Sequence, residues 1–244
     1  MKFNSTSAFI IAATSSGSGK TTITSALLRL LSKKGYKVAP FKCGPDYIDP
    51  IYHKIACGNR SVNLDLFMSS TQHIEMLWEK EISTNNIAIC EGVMGMFDGY
   101  NRDCGSSAHL SKILDIPIIL IIDCKSAAFS IAATINGFKT LDNSVKIAGV
   151  ILNRVSSVNH LNMLKEACDY INMPVIGHLP ISNDFSMESR HLGLDIFNSK
   201  KIDDAVERAA NSMEKSIDID LLLELTKYNK IGRDTKSNNY HLND

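Results

Sequence analysis

The sequence predicts an α/β chain with a doubly wound, mostly parallel sheet and helices on both faces. Three observations point there. Short apolar runs alternate with stretches of helical periodicity. The runs are continuous rather than alternating, as strands are when both sheet faces are covered. The first run feeds a small-residue loop, a lysine and a hydroxyl pair at the head of a helical pattern. Ligands of such sheets bind beyond the carboxyl ends of the strands, so chemistry is expected in the segments that follow each run.

Taken in order, strands are predicted over 8–13, 37–41, 87–90, 117–123, 147–152 and 175–179. Amphipathic helices are predicted over 21–34, 71–80, 106–114, 126–141 and 160–171. After about residue 198 the texture changes. Segments 201–215 and 218–229 read as two surface helices, and 232–244 is polar. The expected organisation is a main α/β domain over 1–198, a helical extension over 199–231 and a polar tail or linker over 232–244. No internal repeat is visible.

Bulk properties narrow the function. At 244 residues with 44% hydrophobic content, one domain with a sizeable core is expected. The 26 basic residues balance 26 acidic ones, which leaves no electrostatic footprint for nucleic acid or an anionic membrane. No signal peptide is read at the start, and the longest apolar run, 117–122, is too short to span a bilayer. The six cysteines are scattered without any Cys-x-x-Cys, the pattern of reduced thiols in a cytoplasm.

The most informative string is Ala13-Thr-Ser-Ser-Gly-Ser-Gly-Lys-Thr-Thr22. Backbone N–H groups of a tight Gly/Ser loop converge on phosphate, a helix N-terminus adds its positive end, and Lys20 adds a full charge. Gly17, Ser18, Gly19, Lys20, Thr21 and Thr22 are therefore the expected binders of a nucleoside triphosphate, with Thr21 also placed to offer its hydroxyl to magnesium. The usual first glycine of this P-loop, five residues before Gly19, is Thr14.

Four further segments fall just after strands. Phe41-Lys-Cys-Gly-Pro-Asp-Tyr-Ile-Asp49 exposes Lys42, Asp46 and Asp49 at a Gly-Pro turn. Lys42 would neutralise a phosphoryl group in transfer and the aspartates would hold magnesium; the plain alternative is a loop with solvated charges. Strand 87–90 ends in Glu91 ahead of Gly92, Gly95 and Gly99, where a P-loop enzyme keeps its magnesium carboxylate. Asn153 ends another strand; its carboxamide suits the adenine edge, and equally suits a cap or turn. Asp65, alone between apolar residues, reads first as a cap, and the lone His191 reads first as a surface or packing residue.

Together these segments resemble the amino-terminal, ATP-dependent synthetase domain of the cobyrinic acid a,c-diamide synthase family. The carrying strings are the P-loop, Phe41 to Asp49, Asn63-Leu-Asp-Leu-Phe-Met68, Glu91-Gly-Val-Met-Gly95 with Asp98-Gly-Tyr100, Ser130-Ile-Ala-Ala-Thr134, Gly149-Val-Ile-Leu-Asn-Arg154 and Arg190-His-Leu-Gly193. The design is more distantly similar to dethiobiotin synthetase and to the synthetase half of CTP synthase. The resemblance implies that ATP phosphorylates the a and c carboxylates of a corrinoid in turn, and that ammonia displaces each acyl phosphate. It implies Lys20 and Lys42 as catalytic residues and ATP with Mg2+ as cofactors. Thr21, Asp46, Asp65 and Glu91 would serve the metal; Asp46, Tyr47, Asp49 and His191 would meet the substrate; and Asn153 would read adenine. Homodimers are common among the related synthetases.

Ser15 stands where partitioning-type switch ATPases carry an extra lysine, which argues against a switch. The family's ammonia comes from glutamine through a glutaminase domain. Roughly fifty residues follow Arg190, against ~100 or more for a typical domain. A separate glutaminase domain or subunit, or free ammonia, is therefore expected. Two rivals stand beside this reading: amidation of a related tetrapyrrole, as by nickel sirohydrochlorin a,c-diamide synthase, and a P-loop switch ATPase.

Overall fold

The computed structural model describes residues 6–185 and 199–228. An eight-stranded sheet runs in the order β3-β2-β4-β1-β5-β6-β7, with β8 added antiparallel to β1. The strands are β1 (Thr6–Ala13), β2 (Val38–Cys43), β3 (Val62–Leu64), β4 (Ile87–Glu91), β5 (Ile118–Asp123), β6 (Ile147–Val155), β7 (Val175–Pro180) and β8 (Lys227–Tyr228). All other pairings are parallel. The sheet predicted from the apolar runs is thus present, with β1 at its centre.

Continuous apolar strands are explained by two cores. Ala8, Ile10 and Ala12 of β1 face one layer, while Phe9, Ile11 and Ala13 face the other. The first layer is covered by α3 (Thr71–Ile82), α4 (Ser107–Leu114), α5 (Ile131–Leu141) and α6 (Val158–Tyr170), and its largest side chain, Trp78, packs on Phe41 with ring centroids 4.6 Å apart. The second is covered by α1 (Lys20–Lys33), α2 (Asp49–Cys57), α7 (Ser199–Glu214) and α8 (Ile219–Leu225). Each fully buried Ile, Leu or Phe contributes about 1.5–3 kcal/mol of transfer free energy, so both layers contribute to holding the helices on the sheet.

Helix starts follow local chemistry. Ser70, Ser106 and Ser157 each accept a hydrogen bond from the backbone N–H three residues on, at His73, His109 and His160. The predicted helix over 126–141 begins only at Ile131, because Ser126 takes a left-handed backbone (φ 59°) and turns the chain first. Helix α2 and strands β3 and β8 have no counterpart in the predicted elements. The segment after Asp218 leaves its helix at Leu225 so that Lys227 and Tyr228 pair with Ser7 and Thr6.

Helix α7 buries Ile202, Ala205, Val206, Ala209, Ala210 and Met213 against the α1 layer. Arg29 and Lys33 of α1 reach Glu207, and Arg29 also reaches Asp203. Among the described residues no helix is long and apolar enough to cross a membrane.

Candidate active site

The loop from Thr14 to Gly19 joins β1 to α1 at the carboxyl edge of the sheet. Two of its residues take positive φ, Gly17 (75°) and Gly19 (95°), the latter capping α1. A Cβ on Gly19 would lie 2.2 Å from Asn153 Nδ2, so only glycine fits there. Lys20, which is buried, donates to the Ser15 carbonyl at 3.4 Å and to the Met94 carbonyl at 2.5 Å. Ser18 is buried and donates to Ser15 O at 2.9 Å, while Thr22 is half-buried at the head of α1. Residues 14–22 therefore form a closed, glycine-dependent loop whose lysine rests on carbonyls. Carbonyls are weaker partners for an ammonium than phosphate oxygens.

Sheet register builds the next layer. Lys42 at the end of β2 and Glu91 at the end of β4 are lateral neighbours. Both are essentially inaccessible, at 1% and 0% exposure. Lys42 Nζ lies 2.8 Å from Asp49 Oδ2 and 3.7 Å from Glu91 Oε1, and donates to Gly92 O at 2.8 Å. Gly92 passes so close to β1 that a Cβ would stand 2.9 Å from Ile11 O. The Thr21 hydroxyl completes the cluster, donating to Glu91 Oε1 at 2.7 Å and to Asp49 Oδ1 at 3.3 Å.

Charge balance inside this dry cluster is uneven. Burial alone would raise Glu91, but Lys42, His53 and Thr21 outweigh it and hold the carboxyl down at about 2. Burial and the neighbouring Glu91 charge push Asp49 up to about 6, against the pull of Lys42. Lys42 loses solvation, yet the two carboxylates more than compensate and keep it above the ordinary lysine value. Burial pushes the adjacent Cys43 thiol up to about 12, so it offers no thiolate nucleophile.

Of the candidates named from sequence, the structure brings Thr21, Lys42 and Glu91 together. Asp49, read as a substrate-side acid, opens α2 and is the aspartate that reaches both Thr21 and Lys42. Asp46 is half-buried and accepts from the N–H groups of Ile48 and Asp49 at 2.8 and 3.1 Å, fixing the turn that aims Asp49. Tyr47, beside it, is 86% exposed. Asp65 accepts from Phe67 N at 2.9 Å in the turn after β3, the bond of a turn former. His191 lies outside the described residues.

Across β1 lies a second, wetter group. Asp123 of β5 and Asn153 of β6 are lateral neighbours at the same edge. Asn153 donates to Ser18 O at 2.8 Å and accepts from Arg154 N at 3.0 Å. Arg154, in a left-handed backbone (φ 59°), pairs with Asp123 and donates to Gly17 O at 2.8 Å. The carboxamide is thus engaged with the P-loop backbone.

Sequence reasoning missed His53, Ser61, Asp123 and Arg154. His53 was within reach, because it stands four residues after Asp49 and therefore on the same helical face, had α2 been recognised. Ser61 carried no signal.

Among the described residues no group of three His, Cys, Asp or Glu side chains is arranged to hold a metal alone. The Thr21 hydroxyl and the Glu91 and Asp49 carboxylates are hard oxygen donors, and such a set suits Mg2+, which keeps waters and leans on substrate phosphates. The cluster therefore sets hard oxygen donors beside a buried lysine, directly behind the first turn of α1.

Comparison with known proteins gives the family. Residues 9–194 match the family described as CobQ/CobB/MinD/ParA nucleotide binding domain. A cobyrinate a,c-diamide synthase of Caldanaerobacter subterraneus subsp. tengcongensis is 42% identical over 89% of this chain and 49% of its own length. A hydrogenobyrinate a,c-diamide synthase of Brucella anthropi is 44% identical over 88% of this chain and 50% of its own. The chain thus spans about half the length of the curated relatives it matches. The fold is also that of the MinD cell division protein of Aquifex aeolicus in its MinC:MinD complex (TM-score 0.53, 16% identity, 84% of this chain and 96% of that one). By the match over residues 9–194 and these relatives, the chain belongs to the CobQ/CobB/MinD/ParA nucleotide binding domain family, with cobyrinate and hydrogenobyrinate a,c-diamide synthases among its relatives.

Proposed function

We propose that the chain is the ATP- and Mg2+-dependent synthetase part of a cobyrinate a,c-diamide synthase in cobalamin biosynthesis. The observation that carries the reading is Lys42, buried between Asp49 and Glu91 and joined through them to Thr21 of the P-loop. A switch that only hydrolyses nucleotide has no use for such a lysine beside its phosphate site.

In this reading a ring carboxylate oxygen attacks the γ-phosphorus, the bond to the β–γ bridging oxygen breaks, and ADP leaves an acyl phosphate behind. Ammonia then adds to the acyl carbon, a proton leaves the nitrogen, and phosphate departs to give the amide. The protein's work is positioning and charge neutralisation. The N–H groups of 17–22 cradle phosphate, and Lys20 exchanges its carbonyl partners for phosphate oxygens. Thr21 and Glu91, with Asp49, would hold the cation, which when bound would neutralise phosphate charge. Lys42 turns from its carboxylates toward the phosphoryl group in flight. Asp46 and Tyr47 face the substrate, and Asn153 stands on the adenine side. Ammonia comes from glutamine through a glutaminase domain or subunit, and free ammonium substitutes for it.

Incubation of the chain with magnesium-ATP, ammonium and cobyrinate or hydrogenobyrinate, followed by mass spectrometry, tests this. Carboxyl-to-amide exchange at two positions is expected. ATP hydrolysis without amidation of either ring would overturn the reading in favour of a switch ATPase.

A further inference from the structure

The two oxygens of Glu91 have different neighbours. Oε1 receives the Thr21 hydroxyl and faces Lys42, while Oε2 lies 2.8 Å from His53 Nε2. His53 is fully buried on α2, and its other ring nitrogen, Nδ1, lies 2.9 Å from the hydroxyl of Ser61, itself buried just before β3. Glu91 is ionised and accepts only, so the Nε2 that faces it carries a proton, and Nδ1 is paired with the serine hydroxyl. Side chains from β4, α2 and the entry to β3 thus form a chain that ends on one carboxylate oxygen. Neither His53 nor Ser61 belongs to the P-loop or to the substrate-side turn.

We propose that His53, oriented by Ser61, is a positioning residue that ties up Glu91 Oε2, so that Glu91 presents only Oε1 to a divalent cation and the site favours magnesium over calcium. The physical ground is coordination habit. Calcium takes six to eight oxygens and accepts both oxygens of one carboxylate, whereas magnesium demands a near-ideal octahedron, usually with several waters. The buried imidazole takes one lone pair of Oε2 and holds the carboxylate in one orientation, so turning it to chelate symmetrically through both oxygens strains or breaks that bond. In the dry surroundings of Glu91 the broken bond leaves an unpaired donor, which is costly. The inference rests on the metal role of Glu91 proposed above.

Binding of Mn2+ to the full chain with a non-hydrolysable ATP analogue, followed by electron paramagnetic resonance, gives the readout. Competition with Mg2+ and with Ca2+ then yields their affinity ratio without any turnover. Wild type should prefer Mg2+. His53→Leu, of similar bulk but with no donor, should narrow the ratio by about tenfold or more, the usual effect of removing an outer partner of a ligand. His53→Gln, which restores an N–H, should recover most of it, and Ser61→Ala should fall between.

An unchanged ratio in His53→Leu would overturn the proposal. Equal narrowing in Leu and Gln would overturn it too, since His53 would then act only through packing. If His53→Leu does not fold, Ser61→Ala decides, because it removes only the outer link; an unchanged ratio there overturns the proposal. Wild type that binds Mn2+ no better than the nucleotide alone would instead overturn the metal reading of the site itself.

Discussion

The two flanks of β1 carry similar residue types in opposite surroundings. On the β2–β4 flank Lys42, Asp49, His53 and Glu91 are 0–2% exposed, and every one is paired. On the β5–β6 flank the Asp123 and Arg154 side chains are 30% and 37% exposed, and Arg154, paired with Asp123, donates to the P-loop backbone at Gly17. Charge in a water-excluded cluster interacts several-fold more strongly than charge at the surface. The dry flank is therefore where phosphoryl charge can be managed, and the wet flank holds the loop in shape. Similar side chains thus differ chiefly in how much water reaches them.

The sharpest way to break this comparison is Lys42→Met. We expect about a 10³-fold loss of amidation turnover, as for other preorganised charge stabilisers, with nucleotide affinity nearly kept. Loss of affinity by tenfold or more, worth ~1.4 kcal/mol, would mean that the dry flank serves binding rather than chemistry.

Titration probes the same flank. Asp49 is raised from 3.8 to about 6 in the folded state. As pH rises through that window the unfolded chain releases this proton first, so the folded state loses stability, on the order of 2–3 kcal/mol by linkage. Glu91, held down at about 2 from 4.5, works in the other sense: its contribution is present above 4.5 and is lost as pH falls toward 2. Denaturation of the nucleotide-free protein between pH 4 and 6 should show the decline, and Asp49→Asn should flatten it.

On the loop between the flanks, Gly19→Ala forces a side chain into a left-handed position against Asn153. A weakening of ATP binding by about tenfold is expected by calorimetry, from ~1–2 kcal/mol of backbone strain. The smallest effect belongs to Arg154→Ala. Its ion pair is partly exposed, so melting should move by no more than the ~1 kcal/mol of a surface pair. A larger change would make the wet flank as structural as the dry one.

Much of the fold was legible along the chain. The strands predicted from apolar runs reappear as β1, β2, β4, β5, β6 and β7, because burial on both faces demands continuous hydrophobicity. What escaped was short or paired at a distance. Strand β3 has only three residues, and β8 exists because Thr6 and Ser7 stand opposite it. Helix α2 was hidden behind the Gly-Pro turn, and with it the place of His53 on the same helical face as Asp49.

By itself the sequence determined the sheet class, the phosphate loop and the residue types at the strand ends, since local periodicity and backbone chemistry act over a few residues. Only the tertiary structure decided which acid meets which cation. The β2–β4 register sets Lys42 beside Glu91, and the packing of α2 brings Asp49 and His53 onto them. Such partnerships depend on the exclusion of water across elements far apart in sequence, and no single segment encodes that.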